Sequence, residues 1–171
     1  MNARIIHNTL SKRSRFMQSH PPQYASDGLD LAFGQCDIAD NCFGLAGMLN
    51  REGGPVSAFG SYVAKFGFFL DDEKGEVVGL SVQGQHATTR KERSNYARLE
   101  SLLKVDPRAY LLRELMPLFF AEGYRKIKIL KSTENPMTLE NHPHFTGKYE
   151  RAVIQAGISV QEDVYLVKPL S

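Results

Sequence analysis

The stretch "VDPRAYLLRELMPLFFAEGYRKIKIL", residues 105–130, constrains the fold more than any other part of the chain. Asp106 is a residue type whose side-chain oxygen caps a helix, and Pro107 suits the first helical position, where its missing N–H has no partner to lose. The helix they begin runs to about Glu122, and Gly123 stands where a left-handed residue ends it. Leu111, Leu112, Leu115, Phe119 and Phe120 form a broad apolar stripe that requires burial against a sheet, and "KIKIL" supplies a strand for that sheet. Pro117, inside the helix, removes the bond to the Arg113 carbonyl and predicts a kink near that turn.

The same design recurs downstream. Tyr149, Ala152, Val153 and Ala156 stand at helical spacing, Thr146 caps the start, Gly157 closes the end, and "ISVQEDVYLVKPL" reads as the last strand. Upstream, Tyr62, Ala64, Phe66 and Phe68 alternate with Val63, Lys65, Gly67 and Phe69, and "GEVVGLSVQG" resumes after the turn "DDEKGE". This alternation predicts an antiparallel hairpin whose second strand ends at Gly84. Tyr96, Leu99, Leu102 and Leu103 predict a short amphipathic helix over 94–104. Hairpin strands first and helix–strand units afterwards imply an α+β (α/β layered) domain, with a mixed, mainly antiparallel sheet carrying helices on its faces.

The first third is less regular. Leu31, Phe33, Ile38, Phe43, Leu45 and Leu49 are interrupted by Gly34, Gly44 and Gly47, and the pattern reads as an irregular helix over 37–49 before the turn "REGGP". Residues 1–28 are polar and contain Pro21-Pro22, which reads as a flexible or weakly ordered N-terminal arm, or as one weak helix followed by a linker. Residues 29–171 then form a single globular α+β domain, a size that buries roughly 70% of the surface of its unfolded chain.

Composition excludes several classes of function. A net charge of +2 is too small for polyanion binding, and the patch of Arg90, Lys91 and Arg93 is diluted by Glu92, so no nucleic-acid partner is expected. No run approaches the ~18 apolar residues of a membrane span. The N-terminal basic residues precede no apolar region of a secretory signal, and Cys36 and Cys42 are too few for a disulfide framework, so a cytoplasmic protein with reduced thiols is expected. His142 and His144 offer two imidazoles without a third ligand at fixed spacing, and no metal is expected.

Val82-Gln83-Gly84 ending a strand, Asp106-Pro107-Arg108 starting a helix, Ser132 to Asn135 after a strand, Tyr149 with Gly157, and Val164 to Leu170 occur in an order that resembles the VirK/YbjX family of bacterial proteins. The resemblance covers about residues 55–171, and the family's longer N-terminal part has no counterpart here. It implies a role in virulence or envelope stress through a protein partner and brings no reaction with it. The second half is also similar to the GNAT N-acyltransferases, whose strand, loop, helix, strand, helix and last strand hold acyl-CoA. That resemblance implies acetyl-CoA or another acyl-CoA as cofactor, held near Val82, Gln83, Arg108 and Ala109. The family's glycine-bearing phosphate loop should precede Leu111, yet residues 104–110 contain no glycine and place Asp106 where phosphate would lie. The tyrosine acid of that family falls at Val153, with Tyr149 one turn earlier; Tyr149 and Glu134 are the candidate catalytic residues. Gly84, Ser132, Thr133 and Asn135 are the candidate ligand-binding residues, because open α/β sheets bind ligands beyond the carboxyl ends of their strands.

Overall fold

The computed structural model describes residues 3–36, 44–51, 62–84, 90–130, 150–161 and 164–167. Helix α1 (Ala3–Ser19) leads into the short strand β1 (Gln23–Ser26), followed by β2 (Leu29–Cys36), β3 (Gly44–Arg51), β4 (Tyr62–Asp71) and β5 (Glu76–Gly84). Helices α2 (Arg90–Leu103) and α3 (Pro107–Ala121) then cross to β6 (Lys126–Leu130). A closing helix, described over residues 150–155, precedes β7 (Ser159–Gln161) and β8 (Val164–Val167). Among the described residues these strands form one sheet in the order β1-β2-β3-β4-β5-β6-β8-β7. Every neighbouring pair is antiparallel except β5 and β6, which run parallel because two helices return the chain to the edge at which β5 began. The architecture is the expected α+β one, with a mixed and mainly antiparallel sheet.

The hairpin of β4 and β5 matches the alternation read from sequence, and its second strand ends at Gly84. Phe66, Phe68 and Leu70 point to one face and enter the core; Lys65 and Phe69 point to the other. Helix α3 begins and ends where its caps require: the Asp106 side chain accepts the Arg108 N–H, and Gly123 adopts φ +92° just beyond it. The helix continues through Pro117. Its stripe of Leu111, Leu112, Leu115 and Phe119 is buried against β3, β4 and β5.

Two expectations are corrected. Over the described part of 37–49 the chain is a strand, since Gly44–Arg51 pairs with Leu29–Cys36 from Leu29↔Arg51 to Cys36↔Gly44; residues 37–43 lie outside the described residues. The period was two and not 3.6: Leu45 and Leu49 face the core with Leu29, Leu31 and Phe33. Gly47 between them carries no side chain because a Cβ there would lie 2.5 Å from Leu115 Cδ1, so the glycine is a seat for α3 and not a helix breaker. The final strand is two, β7 and β8, paired antiparallel through Val160↔Tyr165, with β8 inserted beside β6.

At the N-terminus, residues 3–19 form a helix lying on the same sheet face as α3. Phe16 is buried, meets Phe33 edge-on at 4.8 Å between ring centroids, and lies within 6.4 Å of Phe119. Thr9, fully buried, accepts the Leu70 N–H at 2.9 Å through its hydroxyl and donates to the Ile5 carbonyl. Lys12 pairs with Asp72 in the β4–β5 turn, and the same carboxylate accepts the Tyr124 hydroxyl from the segment after α3. The polar composition of α1 is compatible with this packing, because a helix that touches the core through few side chains needs few apolar ones.

Truncating Phe16 to alanine removes a ring shared by α1, β2 and α3. The expected loss is about 3 kcal/mol, read as a lower urea midpoint with an unchanged slope. A loss below about 0.5 kcal/mol, the range of surface substitutions, would mean that α1 is not part of the folded unit.

Candidate functional site

The described residues bring part of the candidate set together where β5 ends against α2 and α3. A Cβ at Gly84 would lie 3.0 Å from the Tyr96 Oη, so the strand end is closed by a ring from α2. That hydroxyl donates to Asp106 Oδ1 at 3.1 Å. The same oxygen accepts the Arg108 backbone N–H at 2.8 Å and Nε at 2.9 Å, while Oδ2 accepts Nη2 at 2.6 Å. Gln155 of the closing helix accepts the Asp106 N–H through its side-chain oxygen at 3.3 Å, and Arg113 donates to the Gln155 carbonyl. α2, the start of α3 and the closing helix therefore meet at one residue, Asp106, and the end of β5 packs against the Tyr96 ring that bonds it.

The electrostatics follow from that crowding. Burial pushes the Asp106 carboxyl up, but the hydrogen bonds and charge of Arg108, with the Tyr96 hydroxyl, outweigh it and hold the group below the ordinary carboxylate range. Burial raises the Tyr96 phenol, and the adjacent Asp106 charge raises it further. Tyr96 is thus a donor at physiological pH and Asp106 a fully occupied acceptor. Neither has the poise of a general acid or base near neutrality.

The remaining candidates scatter. Val82 is buried in the core opposite Phe66, and Ala109 is buried on the core-facing side of α3, so both pack and neither presents a side chain to solvent. Gln83 points to the other sheet face, opposite Lys65. Arg108 is at the strand end, but its guanidinium is held by Asp106. Glu134, Ser132, Thr133, Asn135 and Tyr149 lie outside the described residues, as do His142 and His144. Among the described residues no helix is long and apolar enough to cross a membrane, and no three His, Cys, Asp or Glu side chains gather as a metal site.

Sequence reading missed Tyr96 and Gln155. Tyr96 counted as one of the apolar positions of α2, and only the fold shows its hydroxyl reaching a carboxylate ten residues on. Beside this cluster, α2 and the closing helix border a shallow cleft of about 450 Å³ lined by Glu100, Ser101, Lys104, Asp106, Arg151 and Gln155. Its lining is polar and carries both charges. No protein-family model, no curated protein and no solved structure matches this chain.

Replacing Asp106 by alanine strips α3 of its cap and leaves Arg108 without its partner. The expected loss is about 3 kcal/mol, within the range for breaking a buried pair. Because the folded-state pKa is depressed, this stabilisation is complete above the ordinary carboxylate value near pH 4 and fades as pH falls through the lower folded value. Urea melts of the parent and Asp106→Ala should therefore differ by a constant amount between pH 5 and 8 and converge only in stronger acid.

Proposed function

We propose that this chain is a VirK/YbjX-like bacterial protein that acts by binding a protein partner, in the cytoplasm, and not by acyl transfer. The observation that carries the reading is the closed cluster of Tyr96, Asp106 and Arg108 at the start of α3. A pyrophosphate held there would need free N–H donors and an available cation. The Arg108 N–H is already capped by the chain's own carboxylate, and that carboxylate also occupies the Arg108 side chain. An incoming phosphate would have to displace Asp106 and would meet its negative charge. The cleft beside the cluster, whose lining includes Lys104, Arg151 and Glu100, suits a polar segment of a partner better than an oily acyl chain.

The second reading, a GNAT-like acyl-CoA-dependent N-acyltransferase, is favoured by the parallel pair β5 and β6 joined through α2 and α3, since that family holds its cofactor between strands connected in this way. Fold alone does not carry a reaction across families, so this stands second.

Thermal unfolding with acetyl-CoA separates the two. A ligand at about a hundred times its dissociation constant adds about 2.7 kcal/mol, so an acyl-CoA protein should melt several degrees higher at millimolar cofactor, whereas the binding reading expects no shift. For the partner itself, the doubly charge-reversed chain Lys104→Glu with Arg151→Glu should lose proteins that the parent captures from a bacterial lysate. Capture that is indifferent to both reversals would remove the cleft from the proposal.

A further inference from the structure

The cleft beside Asp106 is one end of a longer basic face. Arg90, Ser94, Ala97 and Ser101 recur at helical spacing, so they share a side of α2, and Ala97 and Ser101 line the cleft together with Lys104. All five are exposed, as are Arg98 at the flank of the same side and Arg151, which lines the cleft from the closing helix. Helix α2 with Lys104 carries five cations against the carboxylates of Glu92 and Glu100, a local net of +3 within a chain whose total is +2. Lys12, Lys74, Arg108 and Lys126 each hold a carboxylate, whereas Arg90, Arg98, Lys104 and Arg151 hold none among the described residues. Arg93, exposed on the same side, has an interaction of its own and is not counted. Asp106 is occupied by Arg108, which leaves the half-buried Glu100 as the one uncommitted carboxylate of the cleft lining. Leu102, four residues after Arg98, is 50% exposed, and Ile154, three after Arg151, is 56% exposed. Two of the four large apolar side chains exposed among the described residues thus stand next to these cations.

We propose that this face receives an acidic protein segment with interspersed aliphatic residues, lying along α2 from Arg90 to the cleft. The proposal rests on the reading that a protein partner enters the cleft, and it adds the chemistry of that partner. From Arg90 to Lys104 the helix rises about 20 Å, the span of about six extended residues. Carboxylates of the segment pair with Arg90, Arg98, Lys104 and Arg151, and its aliphatic side chains cover Leu102 and Ile154. A nucleic-acid strand fits the same charges less well. Bases need exposed aromatic faces to stack on, and the one ring of α2, Tyr96, is turned to Gly84 and Asp106. The cations are solvent-exposed, so their attraction is screened by salt, which makes ionic strength a direct reading of the mechanism.

The test is fluorescence anisotropy of the full chain with a labelled synthetic peptide of about twelve residues built from Asp, Glu and Leu, beside the same peptide with Asn and Gln for the acids and a single-stranded oligonucleotide of similar length. The acidic peptide should bind at least about tenfold more tightly than the amide peptide and the oligonucleotide, and its affinity should fall several-fold between about 50 and 300 mM salt. Arg90→Glu with Arg98→Glu changes two exposed residues that do not line the cleft, and should weaken the acidic peptide at least about tenfold. If that chain melts below the parent, Arg90→Gln with Arg98→Gln replaces it and should still weaken binding by about threefold or more. No binding of the acidic peptide, equal binding of the amide peptide, tighter binding of the oligonucleotide, indifference to salt, or variants that bind like the parent would overturn the proposal. Lysate capture that requires Lys104 and Arg151 but not Arg90 and Arg98 would overturn it too, while leaving the cleft as a partner site.

Discussion

The ring of Phe119 is the contact on which the rest of the structure depends. It meets Phe68 edge-on at 4.8 Å and lies within about 6.4 Å of Phe16, Phe33 and Phe66, so one side chain of α3 touches α1, β2 and β4 together. Edge-to-face packing of this kind adds to area burial and fixes orientation. It also explains two glycines. Gly47 admits Leu115, and Gly79 admits the Phe66 ring, whose Cε2 would lie 2.5 Å from an added Cβ. The strands give up side chains so that α3 and its aromatic neighbours can lie close. Everything at the start of α3 is positioned by this seating.

How much of this was legible in the sequence depended on where its physics is local. Caps, hairpin alternation and glycine stops act within a few residues, and α3, β4, β5 and β6 were readable from them. Failure came where a long-range partner decides. Leu45, Gly47 and Leu49 look like a broken helix until Leu115 is placed over the glycine, because the same spacing serves two periods in a short run. The packing of helix α1 into the core was not legible because its decisive contacts, Phe16 on Phe33 and Thr9 on the Leu70 N–H, bridge segments that are distant in sequence. The last strand was read as one because its dividing residues, 162 and 163, are only a pair of acids.

The candidate site shows the same division. Asp106 was legible as a cap, and Arg108 as a cation near it, but their closure onto each other was not. A sequence can place a carboxylate at the mouth of a phosphate loop; only the fold shows that it is already satisfied by Tyr96, by the Arg108 backbone and by the guanidinium. Buried ion pairs are poor evidence of stability in general. Here the pair is better understood as a register pin: Gln155 and Tyr96 bond the same residue, so α2, α3 and the closing helix share one reference point.

A second reference point sits at the opposite end of the sheet. Asp72, in the turn between β4 and β5, holds Lys12 of α1 with one oxygen and the Tyr124 hydroxyl with the other. The first helix of the chain and the exit of α3 are thereby tied to a four-residue bend that is itself exposed to solvent. Motion of that bend would be felt by both at once, so the hinge of the hairpin doubles as a mechanical coupling between segments encoded more than a hundred residues apart.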